Sequence, residues 1–158
     1  MLNILFKGIC HCGDRKPCDP EDDMKRFVIK TCLVFASGCL GGLLNSVAVW
    51  FLGQKGIPAL LGVKIAPQWS PAWLYPRLIW GGIWGALFLL PVFRKSVFGR
   101  GLLFSLGPTL VQLFYVFPLV AGKGMLGMGL GDFTPLFVFF YNLVWGITAA
   151  AWLTLAEE

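Results

Sequence analysis

Four long uncharged stretches dominate the chain and are separated by short charged or glycine-rich segments. They run from Thr31 to Gln54, Leu78 to Phe93, Gly101 to Gly122 and Phe133 to Ala156. A helix that crosses a bilayer needs about 20 mostly apolar residues. Three stretches reach that length. The second does so when it starts near Pro71 and carries Arg77 close to its outer end, where a long basic side chain can reach the headgroups. The pattern therefore predicts an all-α membrane protein with four transmembrane helices over about 28–53, 71–93, 101–121 and 134–156. Residues 1–26 form a cytoplasmic tail with a short helix, and residues 27–158 form the four-helix transmembrane domain.

Composition supports the same class. Hydrophobic residues make up 57% of the chain, against about 45–50% in an ordinary soluble domain. Soluble enzymes, secreted disulfide scaffolds and nucleic-acid partners are excluded on that basis. The formal net charge of +5 is a topology signal. The tail carries Lys7, Arg15, Lys16, Lys25, Arg26 and Lys30, and the middle loop adds Arg94, Lys95 and Arg100. The opposite side holds Lys55, Lys64, Arg77 and Lys123. Nine basic residues against four place both termini in the cytoplasm. Met1 to Ile9 is too short and too charged for a signal peptide. Its Leu2, Leu5, Phe6 and Ile9 have the spacing of a short amphipathic turn.

The tail contains Cys10, His11, Cys12 and Cys18 within nine residues, followed by Asp19-Pro20-Glu21-Asp22-Asp23. Asp19 as cap, Pro20 at the first helical position and acids in the first turn mark a helix start. Thiolates and imidazole are ligands for zinc or copper(I), although adjacent Cys10, His11 and Cys12 would have to splay around one ion. Reduced cytoplasmic thiols are the alternative. No other cofactor is expected.

Each span carries small residues at four-residue spacing, which lets membrane helices approach closely. They are Gly38, Gly42 and Ser46; Gly81 and Gly85; Gly101, Ser105 and Thr109; and Gly146, Ala150 and Thr154. A compact bundle follows, with Pro108 expected to kink the third helix. The two halves also resemble one another. Gly53-Gln54-Lys55-Gly56 parallels Ala121-Gly122-Lys123-Gly124, and Arg77-Leu78-Ile79-Trp80-Gly81 parallels Asn142-Leu143-Val144-Trp145-Gly146. Two tandem helical-hairpin repeats, related by an axis along the membrane normal, would give this order.

Asn45, Gln112 and Asn142 are the polar residues hardest to place in lipid. Each lies roughly 13–15 Å from the outer end of its helix at about 1.5 Å per residue. Amides in hydrocarbon need partners, so the three should face inward and bond across helices. Tyr115 and Tyr141 are candidates to join them, with Arg77 above. Such a layer serves either as interhelical glue or as a polar cavity for a neutral solute, an anion or a lipid headgroup. The spans contain no Asp or Glu, and His11 is the only histidine. Carboxylate relays and Ser-His-Asp chemistry lack their residues, so a catalytic role is not expected. Asp132 precedes the fourth span as a candidate cap.

Gly101-Leu102-Leu103, Phe117-Pro118-Leu119, Gly122 and Leu143-Val144-Trp145 together resemble the second half of the YagU-like bacterial inner-membrane proteins, over roughly the last third of the chain. That resemblance implies a bacterial inner membrane. The leading expectation is a non-catalytic accessory or oligomer-forming membrane subunit, whose partners are the lipid bilayer and other membrane subunits or further copies of itself. The alternative is a small-solute, anion or lipid-headgroup binding or permeation protein using the intramembrane amides.

Overall fold

The computed structural model describes residues 20–93 and 96–157. The tail turn of Leu2 to Ile9, the cluster of Cys10, His11, Cys12 and Cys18, the cap Asp19 and the loop residues Arg94 and Lys95 lie outside the described residues. Among the described residues the structure is all-helical, and no three His, Cys, Asp or Glu side chains come together to hold a metal. The chain divides between Lys30 and Thr31 into two units.

In the first unit the helix α1 (Pro20–Gln54) begins at the proline, as the acidic start signal predicts. Glu21, Asp22 and Asp23 in its first turn face the positive end of the helix dipole. Glu21 also pairs with Lys25 at 2.8 Å, one turn on.

The second unit holds the remainder of α1, a single turn α2 (Ile57–Leu60), α3 (Pro71–Gly85), α4 (Val97–Val111) and α5 (Thr134–Glu157). Among the described residues, three segments, Glu21–Gln54, Val97–Val120 and Thr134–Ala156, are long and apolar enough to cross a membrane. The second expected span is shorter than its apolar stretch. Ser70 caps α3, its hydroxyl accepting from the Trp73 amide at 3.3 Å, with Pro71 at the first position. The α-helix ends at Gly85 and tightens into a 3₁₀ turn over Ala86–Leu89. Leu90 is then extended, the conformation that a following proline, Pro91, imposes.

The third span departs in two ways. It begins at Val97 rather than Gly101, because the Ser96 hydroxyl caps it by accepting from the Gly99 amide at 3.1 Å. Arg100, expected in the middle loop, is therefore helical and buried. Its Nη2 donates to the Phe88 carbonyl at 2.5 Å, and its guanidinium lies over the Phe88 ring. The helix also remains α-helical past Pro108 and changes only from Gln112, where a π-helical stretch runs to Val120 across Pro118. A switch of winding lets a proline-bearing membrane helix re-pair the carbonyls that lost a donor.

Small residues set the helix contacts. A Cβ on Gly38 would strike the Gly81 carbonyl, one on Gly85 would strike that of Val34, and one on Gly42 would stand 2.8 Å from that of Arg77. In the same way Gly146 meets the Gly101 carbonyl, and a Cβ on Gly101 would come within 2.8 Å of Ile147 Cα. Ser46, Ser105 and Ala150 on the same stripes are fully buried. Thus α1 packs on α3 and α4 packs on α5, each pair along its stripe. The pairs join through Trp145, whose Nε1 donates to the Gly38 carbonyl at 3.1 Å while its ring lies against Gly41.

The glycine-rich loops fold onto one end of these helices. The Lys64 amide donates to the Leu130 carbonyl at 2.8 Å, and Gly131, at φ 136°, sits so close to the Gly62 carbonyl that a side chain would collide with it. Val63 is buried beneath them with Val49, Phe137 and Tyr141. Asp132 stands exposed in the turn before α5, where the Thr134 hydroxyl instead bonds the Gly131 carbonyl at 2.6 Å.

Candidate functional site

The three amides converge from α1, α5 and the start of the π-helical stretch. Asn45 Nδ2 donates to the Tyr141 carbonyl at 2.7 Å and weakly to Asn142 Oδ1 at 3.5 Å. Asn142 Nδ2 donates to Thr109 Oγ1 at 3.1 Å and weakly to Gln112 Oε1 at 3.4 Å. Helix rise alone put these residues at one depth, and the fold brings them together. Buried amides of this kind stabilise by being paired, typically by about 0.6–2 kcal/mol per bond between membrane helices.

Arg77 enters this network from α3. Its Nη2 donates to Asn45 Oδ1 at 2.6 Å and its Nε to Ser46 Oγ at 2.9 Å. A guanidinium only donates, so it fixes the Asn45 oxygen toward itself and turns the amide nitrogen to the Tyr141 carbonyl. Ser46 in turn donates to the Gly42 carbonyl at 2.7 Å. The Trp73 ring, one turn before Arg77, carries the guanidinium on its face, with Cζ 4.6 Å from the ring centroid. This is the geometry of a cation–π contact.

A cavity of about 340 Å³ lies beside this network under the two folded loops. Asn45, Arg77, Gln112 and Tyr141 line it from the helices, and Lys64 to Pro67 and Leu130 line it from the loops. None of its lining residues is an acid or a histidine. The Tyr141 hydroxyl is buried and has no hydrogen-bond partner among the described residues, and the residue is only 4% exposed. Such a group is costly to leave unpaired. Tyr115, expected to join the site, does not: it is 56% exposed on the outer surface of the π-helical stretch. It lies in the π-helical stretch, where the winding differs from that of an α-helix.

Several contributors were not singled out for this site in the sequence. Trp73 stands four residues before Arg77 without an assigned role there, Lys64 reads as a topology charge, and Ser46 and Thr109 read as small packing residues. One signal was present for the last two. Gly38, Gly42 and Ser46 recur sixty-three residues on as Gly101, Ser105 and Thr109, while Arg77, Gly81 and Gly85 recur sixty-five on as Asn142, Gly146 and Ala150. The contacts recur with them. Arg77 donates to Ser46, whose hydroxyl bonds back to residue 42; Asn142 donates to Thr109, whose hydroxyl bonds back to residue 105 at 2.7 Å.

Chemically, the arrangement offers fixed donors, two cations and an apolar floor, without a proton-accepting carboxylate or imidazole. No protein-family model, curated protein or solved structure matches the chain.

Proposed function

We propose that this is a non-catalytic integral membrane protein that binds a small anion or anionic group in the cavity beside Arg77. One observation carries the reading: a largely enclosed guanidinium, with Lys64 nearby, lines a cavity that has no carboxylate. A buried charge normally acquires a partner of opposite sign. Here its inner edge is held by neutral oxygens of Asn45 and Ser46, which leaves the positive charge to be matched by a ligand.

The reading includes four spans with both termini cytoplasmic. Fifteen residues of α3 at about 1.5 Å and four 3₁₀ residues at about 2 Å give roughly 30 Å, the thickness of the hydrocarbon core. The fifteen-residue α-helix supports a span only together with that turn. The paired contacts of Arg77–Ser46 and Asn142–Thr109 support an origin in two tandem hairpins. Placement in a bacterial inner membrane rests on the sequence resemblance. The accessory-subunit role comes second, because it assigns the cavity no task.

The test is equilibrium binding to the purified full chain in maltoside detergent, using chloride, nitrate, acetate and phosphate against glycerol and choline. Anions should bind, choline and glycerol should not, and Arg77→Gln should remove binding while the protein remains folded. Binding of glycerol or choline as strong as that of the anions, or anion binding unchanged in Arg77→Gln, would overturn it.

A further inference from the structure

We infer that the group the cavity takes is a phosphoryl oxyanion, free or esterified, held by the outer edge of Arg77, the Tyr141 hydroxyl and Lys64. This rests on the anion reading above and names the ligand's chemistry.

Arg77 has five N–H donors. Two are bound by Asn45 and Ser46, which leaves three. Those two bonds and the Trp73 face fix the guanidinium plane, so the remaining donors are presented without further loss of side-chain freedom. A planar donor fork of this kind matches phosphate or carboxylate.

Tyr141 discriminates between these two. Tyr141 lines the cavity, and its hydroxyl is buried and without a hydrogen-bond partner among the described residues. A carboxylate gripped by the guanidinium has both oxygens engaged, whereas a phosphoryl group has further oxygens to accept from a hydroxyl on another wall. Charge points the same way. The lining carries two cations and no acid, which a phosphomonoester, at about −1.5 to −2 near neutral pH, compensates more fully than a carboxylate does. The volume of about 340 Å³ exceeds that of a bare phosphate and falls in the range of organic-ligand pockets. Val49, Phe117 and Val138 supply an apolar floor for an attached carbon chain.

The decisive experiment is equilibrium dialysis of the full chain, purified in maltoside and stripped of lipid, against radiolabelled inorganic phosphate and against short-chain phosphatidic acid. Acetate at matched ionic strength is the comparator. Binding of both phosphoryl probes above acetate identifies phosphoryl recognition with a free anion as one source; binding of phosphatidic acid alone identifies the lipid headgroup. Arg77→Gln should weaken binding by about tenfold or more, the size expected for losing a charge-assisted bond. Tyr141→Phe should weaken it about three- to tenfold without lowering the melting midpoint, since the lost hydroxyl has no hydrogen-bond partner among the described residues. Acetate binding as tight as phosphate, still dependent on Arg77, would overturn the phosphoryl assignment and leave the anion reading standing. Undiminished binding by Tyr141→Phe would overturn the assignment as well. If no probe binds, both readings fall.

Discussion

The two hairpins, α1 with α3 and α4 with α5, use one packing scheme and differ where it matters. In each, a serine or threonine on the first helix bonds back to its own backbone and accepts from a polar side chain on the second. In the α4/α5 hairpin that side chain is Asn142, neutral and bonded to protein oxygens. In the α1/α3 hairpin it is Arg77, whose charge meets no carboxylate among the described residues and which lines the cavity. The tryptophans diverge too. Trp145 is 3% exposed and bonds across to Gly38, whereas Trp80, at the matching place, is 60% exposed. Gly41 makes room for Trp145, and sixty-three residues later its counterpart is Phe104, packed on Phe88 at 4.9 Å. At this matched position the α4/α5 hairpin places a neutral amide bonded to protein, and the α1/α3 hairpin places a cation that lines the cavity.

Substitutions can break this comparison in a graded way. The largest loss should come from Trp145→Ala, which empties a buried site and removes the link to Gly38. A cost of about 3–5 kcal/mol is expected, read as a collapse of the melting transition in detergent. Asn142→Leu should cost less, about 1–3 kcal/mol, because it strips the donor from Thr109 and Gln112. It should leave Arg77 in place and binding within about threefold of the parent. Arg77→Asn makes the first hairpin chemically like the second. Its melting midpoint should move by only a few degrees, consistent with about 1 kcal/mol, while anion binding falls about tenfold or more. The smallest effect should be that of Trp80→Ala, within about 0.5 kcal/mol, since the ring faces outward. A Trp80→Ala loss as large as that of Trp145→Ala would show that the two tryptophans do not differ as described.

Much of this was legible in the sequence, for specific reasons. Helix rise is uniform, so the common depth of Asn45, Gln112 and Asn142 followed from counting residues, and they do share one network. Backbone approach requires small side chains, so Gly38, Gly42, Gly81, Gly85, Gly101 and Gly146 marked the contacts. Counting fails where the winding changes. Tyr115 lies in the π-helical stretch and faces outward. Across the same interval the offset between the similar segments grows from sixty-three at Thr109 to sixty-eight at Gly124. Arg100 was misplaced because a capping serine can start a helix before the apolar run begins. Lys64 and Trp73 join the site through loop folding and ring stacking, which leave no periodic trace.

The central claim is that Arg77 is a cation awaiting an anionic ligand. Ligand-dependent melting of the parent and Arg77→Gln proteins in the same detergent tests it most directly, with phosphate added at matched ionic strength. Saturation to about one hundred times the dissociation constant should stabilise the parent by roughly 2.7 kcal/mol and leave Arg77→Gln unmoved. Equal shifts in both proteins, or a parent that no anion stabilises, would contradict the account.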